Sequence, residues 1–257
     1  MFDMFLTQTK ILEQLGGVWI IALLVFSRSI AFASTAPLIG HKTIPSLVKV
    51  SFAILLTLLL MPNLETPGEY PKNYQFVYQI VMNVCVGLLL GWVSNLIIEI
   101  GRVGGEMLDM QMGLNAATIF DPGSQTQSTL IGRLFDMITL MLFVSVGGME
   151  KVIEAFSKSY TTFPIIVDQI NLNFTKILHA TADVATIGFI IVSPIIITIL
   201  AVDLILGLMS RAAPQINAFQ VSFSVKPTIG ILLVLILLPV ILQVLLKLID
   251  NPNKYLY

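Results

Sequence analysis

The chain has 257 residues, of which 56% are hydrophobic and only 11% charged, and its mean hydropathy is +0.91. That composition lies far outside the range of soluble globular domains and puts the chain in the membrane class. A formal net charge of -1 without an acidic or basic run implies neither nucleic acid nor an anionic surface as partner. The single cysteine, Cys85, excludes an intrachain disulfide and is expected to pack as a small hydrophobe.

Apolar segments long enough to span a bilayer, or nearly so, run from Gly17 to Ser34, Ile44 to Met61, Phe76 to Ile98, Leu130 to Gly147, Ala185 to Met209 and Ile229 to Leu246. Their lengths predict an all-α membrane protein of about six long helices. The first resembles a secretion signal, since Val18 to Phe26 precedes Ala31-Phe32-Ala33, but Arg28 interrupts that pattern and further spans follow, so it reads as a retained helix. Pro37, Pro45 and Pro62 bracket the second segment, Pro194 lies inside the fifth, Pro227 opens the sixth and Pro239 kinks it. The backbone groups freed at Pro194 and Pro239 need partners, so those helices should meet other protein there.

Between the third and fourth segments lies the unusual stretch Gly101 to Ser128. It gathers Met107, Met110 and Met112 within six residues, and thioether side chains suit a surface that re-packs. Gly101, Gly104, Gly105 and Gly113 each weaken a helix by about 1 kcal/mol relative to alanine. Asp121-Pro122-Gly123 stops it, because Pro122 disfavours the helical region for Asp121 and Gly123 suits a type II turn. The stretch therefore reads as a frayed helix, an apolar tip from Leu114 through Ile119 and Phe120, and a sharp return. It is either an interfacial connector or a movable plug in a conduit. The pair Gly101 and Gly105 also suits a close helix contact.

Charges give no orientation, with seven Lys and Arg on one side of the predicted spans against six on the other. Arg28, Lys49, Arg133 with Asp136, and Asp203 fall inside or at the lips of apolar runs, where a charge at bilayer depth costs at least about 2.5 to 3.5 kcal/mol. They should face a bundle interior, a partner subunit or water. Arg133 and Asp136 are three apart on one helical face and suit mutual neutralisation. Asp203 has no partner within a turn, which leaves Arg28, Arg211 or another chain. The connection from Met149 to Asp183 opens with the amphipathic EKVIEAFSKSY, a surface helix. From Ala185 onward the chain reads as a hairpin of two long helices, in which Pro214 ends the first and Arg211 and Gln215 are free to bond its terminal carbonyls or a neighbouring chain.

Catalytic constellations are absent from the sequence. His41 and His179 stand far apart without a carboxylate or cysteine at ligand spacing, and no HExxH, GxSxG or phosphate-cradling loop occurs. No enzyme activity, metal or cofactor is expected. A transporter of ions or small molecules using Arg28, Glu106 and Asp203 as coupling charges is the alternative from a different class.

Four groups of residues point further: Arg28 followed by Pro37, Pro45, Lys49 and Pro62; MGLNAATIFDPGS from Met112 to Ser124; Arg133-Leu-Phe with Phe143 downstream; and LGLMSRAAPQ from Leu206 to Gln215. In these the chain resembles the FliR family of flagellar export-gate proteins, whose counterpart in virulence type III secretion is SctT, over nearly its whole length. Where that family often has glycine followed by histidine, this chain has Gly148-Met149, which removes a titratable role at 149. The resemblance implies a fusion of two partner types, a FliP-like portion over 1–184 containing a plug at 106–123, and a FliQ-like hairpin over 185–257. It implies a helical assembly with several copies of FliP- and FliQ-like subunits, and contact with FlhA- and FlhB-like components, in the basal body at the bacterial inner membrane and partly raised from the lipid. Unfolded proteins would be the cargo, with the plug residues Met107, Met110, Met112, Gly113, Leu114, Ile119, Phe120, Asp121, Pro122 and Gly123 closing the path. Arg28, Arg133, Asp136, Asp203, Arg211, Pro214 and Gln215 would be covered by neighbouring subunits.

Overall fold

A computed structural model of the chain describes residues 2–41, 43–64, 73–114, 130–166, 174–215 and 217–250. These residues are all helical or in turns. They form α1 (Phe2–Thr35), α2 (Ser46–Leu60) with a short 3-10 turn at Met61–Asn63, α3 (Asn73–Met112), α4 (Leu130–Ser145), α5 (Gly148–Thr162), α6 (Phe174–Ala212) and α7 (Ala218–Asp250).

Among the described residues the candidate spans are fewer than six but mostly longer than expected. Four helices are long and apolar enough to cross a membrane, and the pair α4 and α5, bent by 72° at its break, makes up to five. Helix α2 falls short at 15 residues because Pro45 lacks the N–H to extend it backwards and Pro62 tightens its end into the 3-10 turn. Helix α3 is continuous over 40 residues and does not fray at Gly101 to Gly105. Helix α7 starts nine residues before Pro227, because Asn217 Oδ1 accepts the Gln220 N–H at 3.3 Å and caps the first turn. Inside α6 the carbonyl of Ile190, which Pro194 cannot serve, accepts the Ser193 hydroxyl at 2.8 Å. The proline gap is thus closed within its own helix, where contact with other protein was expected. Cys85 is exposed instead of packed.

The chain divides into two compact units, and α3 contributes to both. The first comprises Met1–Asn95 and Met149–Leu172. In it α1 packs on α2 around Ala33, Ile39 and Ala53. The corner between them holds Leu38 at a φ of +66°, and Lys49 reaches back to donate to the Gly40 carbonyl at 2.9 Å. The lysine at the lip of an apolar run thus ends on a backbone acceptor. On α3, Gly87 and Gly91 lie so close to α1 that added Cβ atoms would meet the Arg28 carbonyl and Phe32 carbonyl respectively, and Thr35 Oγ1 donates across to the Leu88 carbonyl at 3.2 Å. Phe156 of α5 stacks on Phe32 with ring centres 4.3 Å apart. The amphipathic helix read from EKVIEAFSKSY therefore buries Val152, Phe156 and Tyr160.

The second unit comprises Leu96–Gly148 and Asn173–Tyr257. Its core joins Leu108 and Met112 of α3, Ile131 and Phe135 of α4, Val192, Ile195 and Ile199 of α6, and Val234, Ile241 and Leu245 of α7. Helices α6 and α7 pair as a hairpin and share an ion pair, with Lys226 Nζ 2.5 Å from Asp203 Oδ1. Only 28%, 28% and 22% of the apolar windows of α3, α6 and α7 are buried, which leaves most of their surface for lipid or for other chains.

Candidate functional site

In the first unit the organising residue is Arg28. An arginine in an apolar helix must satisfy five N–H donors away from water, and here its side chain is fully buried. Its Nε donates to Asn83 Oδ1 at 2.9 Å, one terminal nitrogen donates to the Phe163 carbonyl at 2.8 Å and the other to the Pro164 carbonyl at 3.0 Å. The guanidinium carbon also lies 4.2 Å from the centre of the Tyr160 ring, a cation–π distance. Asn83 completes the cluster by donating to the carbonyls of Gln79 at 2.8 Å and Ile165 at 3.0 Å. Among the described residues no carboxylate takes part, and the charge is solvated by carbonyl dipoles and a ring face. The arrangement pins the end of α5 to α1 and α3.

In the second unit the same question, where a buried charge finds its partners, leads to Asp109. Its side chain is fully buried, and its two oxygens accept the backbone N–H groups of Ile131 at 3.2 Å and Gly132 at 2.9 Å. Those N–H groups open α4 and have no partner within their own helix, and the helix dipole there favours a negative charge. One turn earlier, Gly105 makes the approach possible, since a Cβ at that position would lie 2.6 Å from Gly132 Cα and 2.7 Å from the Ile131 carbonyl oxygen. Gly101 lies against Thr139 of α4, and Gly104 faces Gly188 of α6, where a Cβ would meet the Gly188 carbonyl at 3.0 Å. Of the glycines that suggest fraying, Gly101, Gly104 and Gly105 are the contact points of three helices. Gly105→Ala is expected to destabilise this unit by about 1 to 3 kcal/mol through overpacking, read as a lower midpoint in thermal unfolding of the purified complex, whereas Gly207→Ala, in open space inside α6, should leave the midpoint unchanged or raise it slightly.

Helix α3 ends cleanly. Gly113 takes a φ of +76°, its N–H bonds the Met110 carbonyl at 3.2 Å, and the Leu114 N–H bonds the Asp109 carbonyl at 3.0 Å, the paired bonds of a Schellman cap. Met112 is fully buried against Gly230 of α7, where a Cβ would collide with its side chain. Met107 and Leu114 are partly buried against the same core. Met110 is 69% exposed. Ile119, Phe120, Asp121, Pro122 and Gly123 lie outside the described residues.

The other charges are separate features. Arg133 is exposed and Asp136 half-buried, and no ion pair joins them. Arg102 forms an ion pair with Glu99, and lies 3.6 Å from Glu106. Arg211, Pro214 and Gln215 are exposed around the end of α6, where the Ala213 N–H bonds the Met209 carbonyl at 2.8 Å. Of the three coupling charges an ion transporter would use, Arg28 bonds neutral groups, Glu106 faces Arg102 and Asp203 faces Lys226. Asp109, Asn83 and Lys226 are the residues that sequence reasoning passes over, and for Asp109 the available signal was a lone acid one turn after Gly105.

Residues 19–251 match the family model described as bacterial export proteins, family 1. The flagellar biosynthetic protein FliR of Escherichia coli (strain K12) is 30% identical over 215 residues, covering 83% of this chain and 82% of its own. The protein of the same name from Pectobacterium carotovorum subsp. carotovorum is 31% identical over 217 residues, 84% and 83% of the two chains. The surface presentation of antigens protein SpaR of Shigella flexneri is 28% identical over 194 residues, 74% and 75% of the two chains.

Proposed function

The chain belongs to the bacterial export proteins, family 1, and we propose from that membership that it is a core subunit of the flagellar protein-export gate in the bacterial inner membrane. The single observation that carries this reading is the family match over residues 19–251, which takes in both units and all the helices that frame the α3–α4 stem. In this reading 1–184 plays the part of a FliP-like subunit and 185–257 that of a FliQ-like hairpin. The chain assembles with several copies of such subunits, and with FlhA- and FlhB-like components, around a path for unfolded flagellar proteins. The largely uncovered apolar helices α3, α6 and α7 support an assembly in which neighbouring chains, and lipid, cover what this chain leaves open.

The segment 106–123, and within it Met110 to Phe120, closes the path at rest. Its helical part supports this role: Met112 and the Schellman cap hold the end of α3 firmly, while Met110 stays exposed and so available to meet another surface. Nothing in the chain supplies an energy source, so transport is driven by other components.

The test is a clean deletion of this chain's gene in its own host, with the secreted proteins then identified. Loss of hook and filament proteins from the medium, restored by the full-length chain, is expected. Unchanged flagellar export sinks the flagellar reading, and loss of virulence effectors instead assigns the chain to the injectisome branch, to which the similarity with SpaR gives a specific basis.

A further inference from the structure

Among the described residues, Asp109 makes hydrogen bonds on both sides of the interval between α3 and α4. Its backbone carbonyl accepts the Leu114 N–H at 3.0 Å and so seals the end of α3, while its carboxylate accepts the Ile131 and Gly132 N–H groups at 3.2 and 2.9 Å and so seals the start of α4. No other carboxylate among the described residues is fully buried. A group so placed is costly to keep unless its hydrogen bonds are complete. Gly105, one turn before, and Met112, less than one turn after, fix the two ends sterically, but neither supplies the N–H groups of α4 with an acceptor.

We propose that Asp109 is the positioning residue of this stem: its carboxylate holds the first turn of α4 on the last turns of α3, and so fixes the points from which the closing segment departs. This rests on the reading that the segment closes the export path. The chemistry is specific to a carboxylate. Asparagine has nearly the same volume, but one accepting oxygen is replaced by an amide nitrogen that cannot accept from a backbone N–H, and alanine removes both acceptors.

The experiment uses the full chain in its native membrane complex, comparing wild type with Asp109→Asn and Asp109→Ala. Hydrogen exchange is read on a peptide covering residues 130–135, with ion flux measured in the same preparations. Exchange of the Ile131 and Gly132 amides is expected to rise about tenfold to a hundredfold in the alanine variant, the loss of bonds to a charged group, and by a smaller factor in the asparagine variant. Both variants should also leak more ions. If alanine prevents assembly, the asparagine variant carries the test alone. Exchange at the wild-type rate in asparagine, whatever alanine does, reduces Asp109 to a packing residue and overturns the proposal. Raised exchange with no leak in Asp109→Asn, while deletion of Leu114 to Phe120 does leak, likewise overturns it and leaves the closure reading standing. Raised exchange with no leak in either variant or deletion removes the closure reading itself.

Discussion

Deleting Leu114 to Phe120 is expected to make host cells leak ions and small solutes by about a hundredfold or more while the export complex still assembles. Met112 is already committed to the core of its own unit, packed against Gly230, so it anchors the stem and contributes little to closure. On the proposed closure, Met110, Ile119 and Phe120 remain as the closing side chains. Burying each contributes at most about 1.5 to 3 kcal/mol, less after the cost of ordering the segment. A net preference of about 3 kcal/mol keeps the open state at about one per cent, so its removal raises flux by about two orders of magnitude. Such a preference is also small enough for an inserting substrate that replaces the contacts to overcome. Flux of a small dye or of potassium into vesicles made from the deletion strain measures it. Wild-type flux in a fully assembled complex would make the segment a connector only.

The second large effect is expected at Arg28. Alanine there leaves Asn83 Oδ1 and the carbonyls of Phe163 and Pro164 without the donors they now have, and an unsatisfied buried acceptor costs about 1 to 3 kcal/mol. Against this stands the relief of burying one fewer charge. Three acceptors left unpaired nevertheless cost about 3 to 9 kcal/mol together, a large part of the stability of a typical domain. Arg28→Ala should therefore leave little of the chain in the membrane, as seen by immunoblot. Arg28→Lys should recover part of it, since an ammonium keeps the charge but cannot present the fork that serves three acceptors at once. Wild-type abundance and export with alanine would show that neighbouring groups or water replace the guanidinium.

The all-helical membrane class was legible in the sequence because it depends on local composition. Fifteen-residue α2 follows from Pro45 and Pro62, and a fully buried Arg28 follows from its seat in an apolar run. Its partners were not legible, because two of them are main-chain carbonyls 135 and 136 positions away and every residue carries a carbonyl. The glycines of α3 misled for a related reason. Taken singly, each weakens a helix, but Gly101, Gly104 and Gly105 gain contacts with Thr139, Gly188 and Gly132 that no helix propensity records. Asp109 was hidden likewise, since its partners are N–H groups 22 and 23 residues on in another helix. Asp203 looked unpaired because Lys226 stands on the other arm of the hairpin. Its identification required knowing that α7 begins at Ala218, well before the proline that appeared to open it.

The claim at the centre of this account is that the chain works as one subunit of a membrane export gate. Native mass spectrometry on material purified in mild detergent through an affinity tag on this chain, expressed at its natural level in its own host, measures that most directly. The account predicts one copy of the chain bound to several copies each of FliP-like and FliQ-like proteins, with the same tagged chain, expressed alone, recovered only in small and aggregated amounts because its apolar helices lack their covers. A stable monomer or a symmetric homo-oligomer free of such partners, at wild-type abundance, would contradict it.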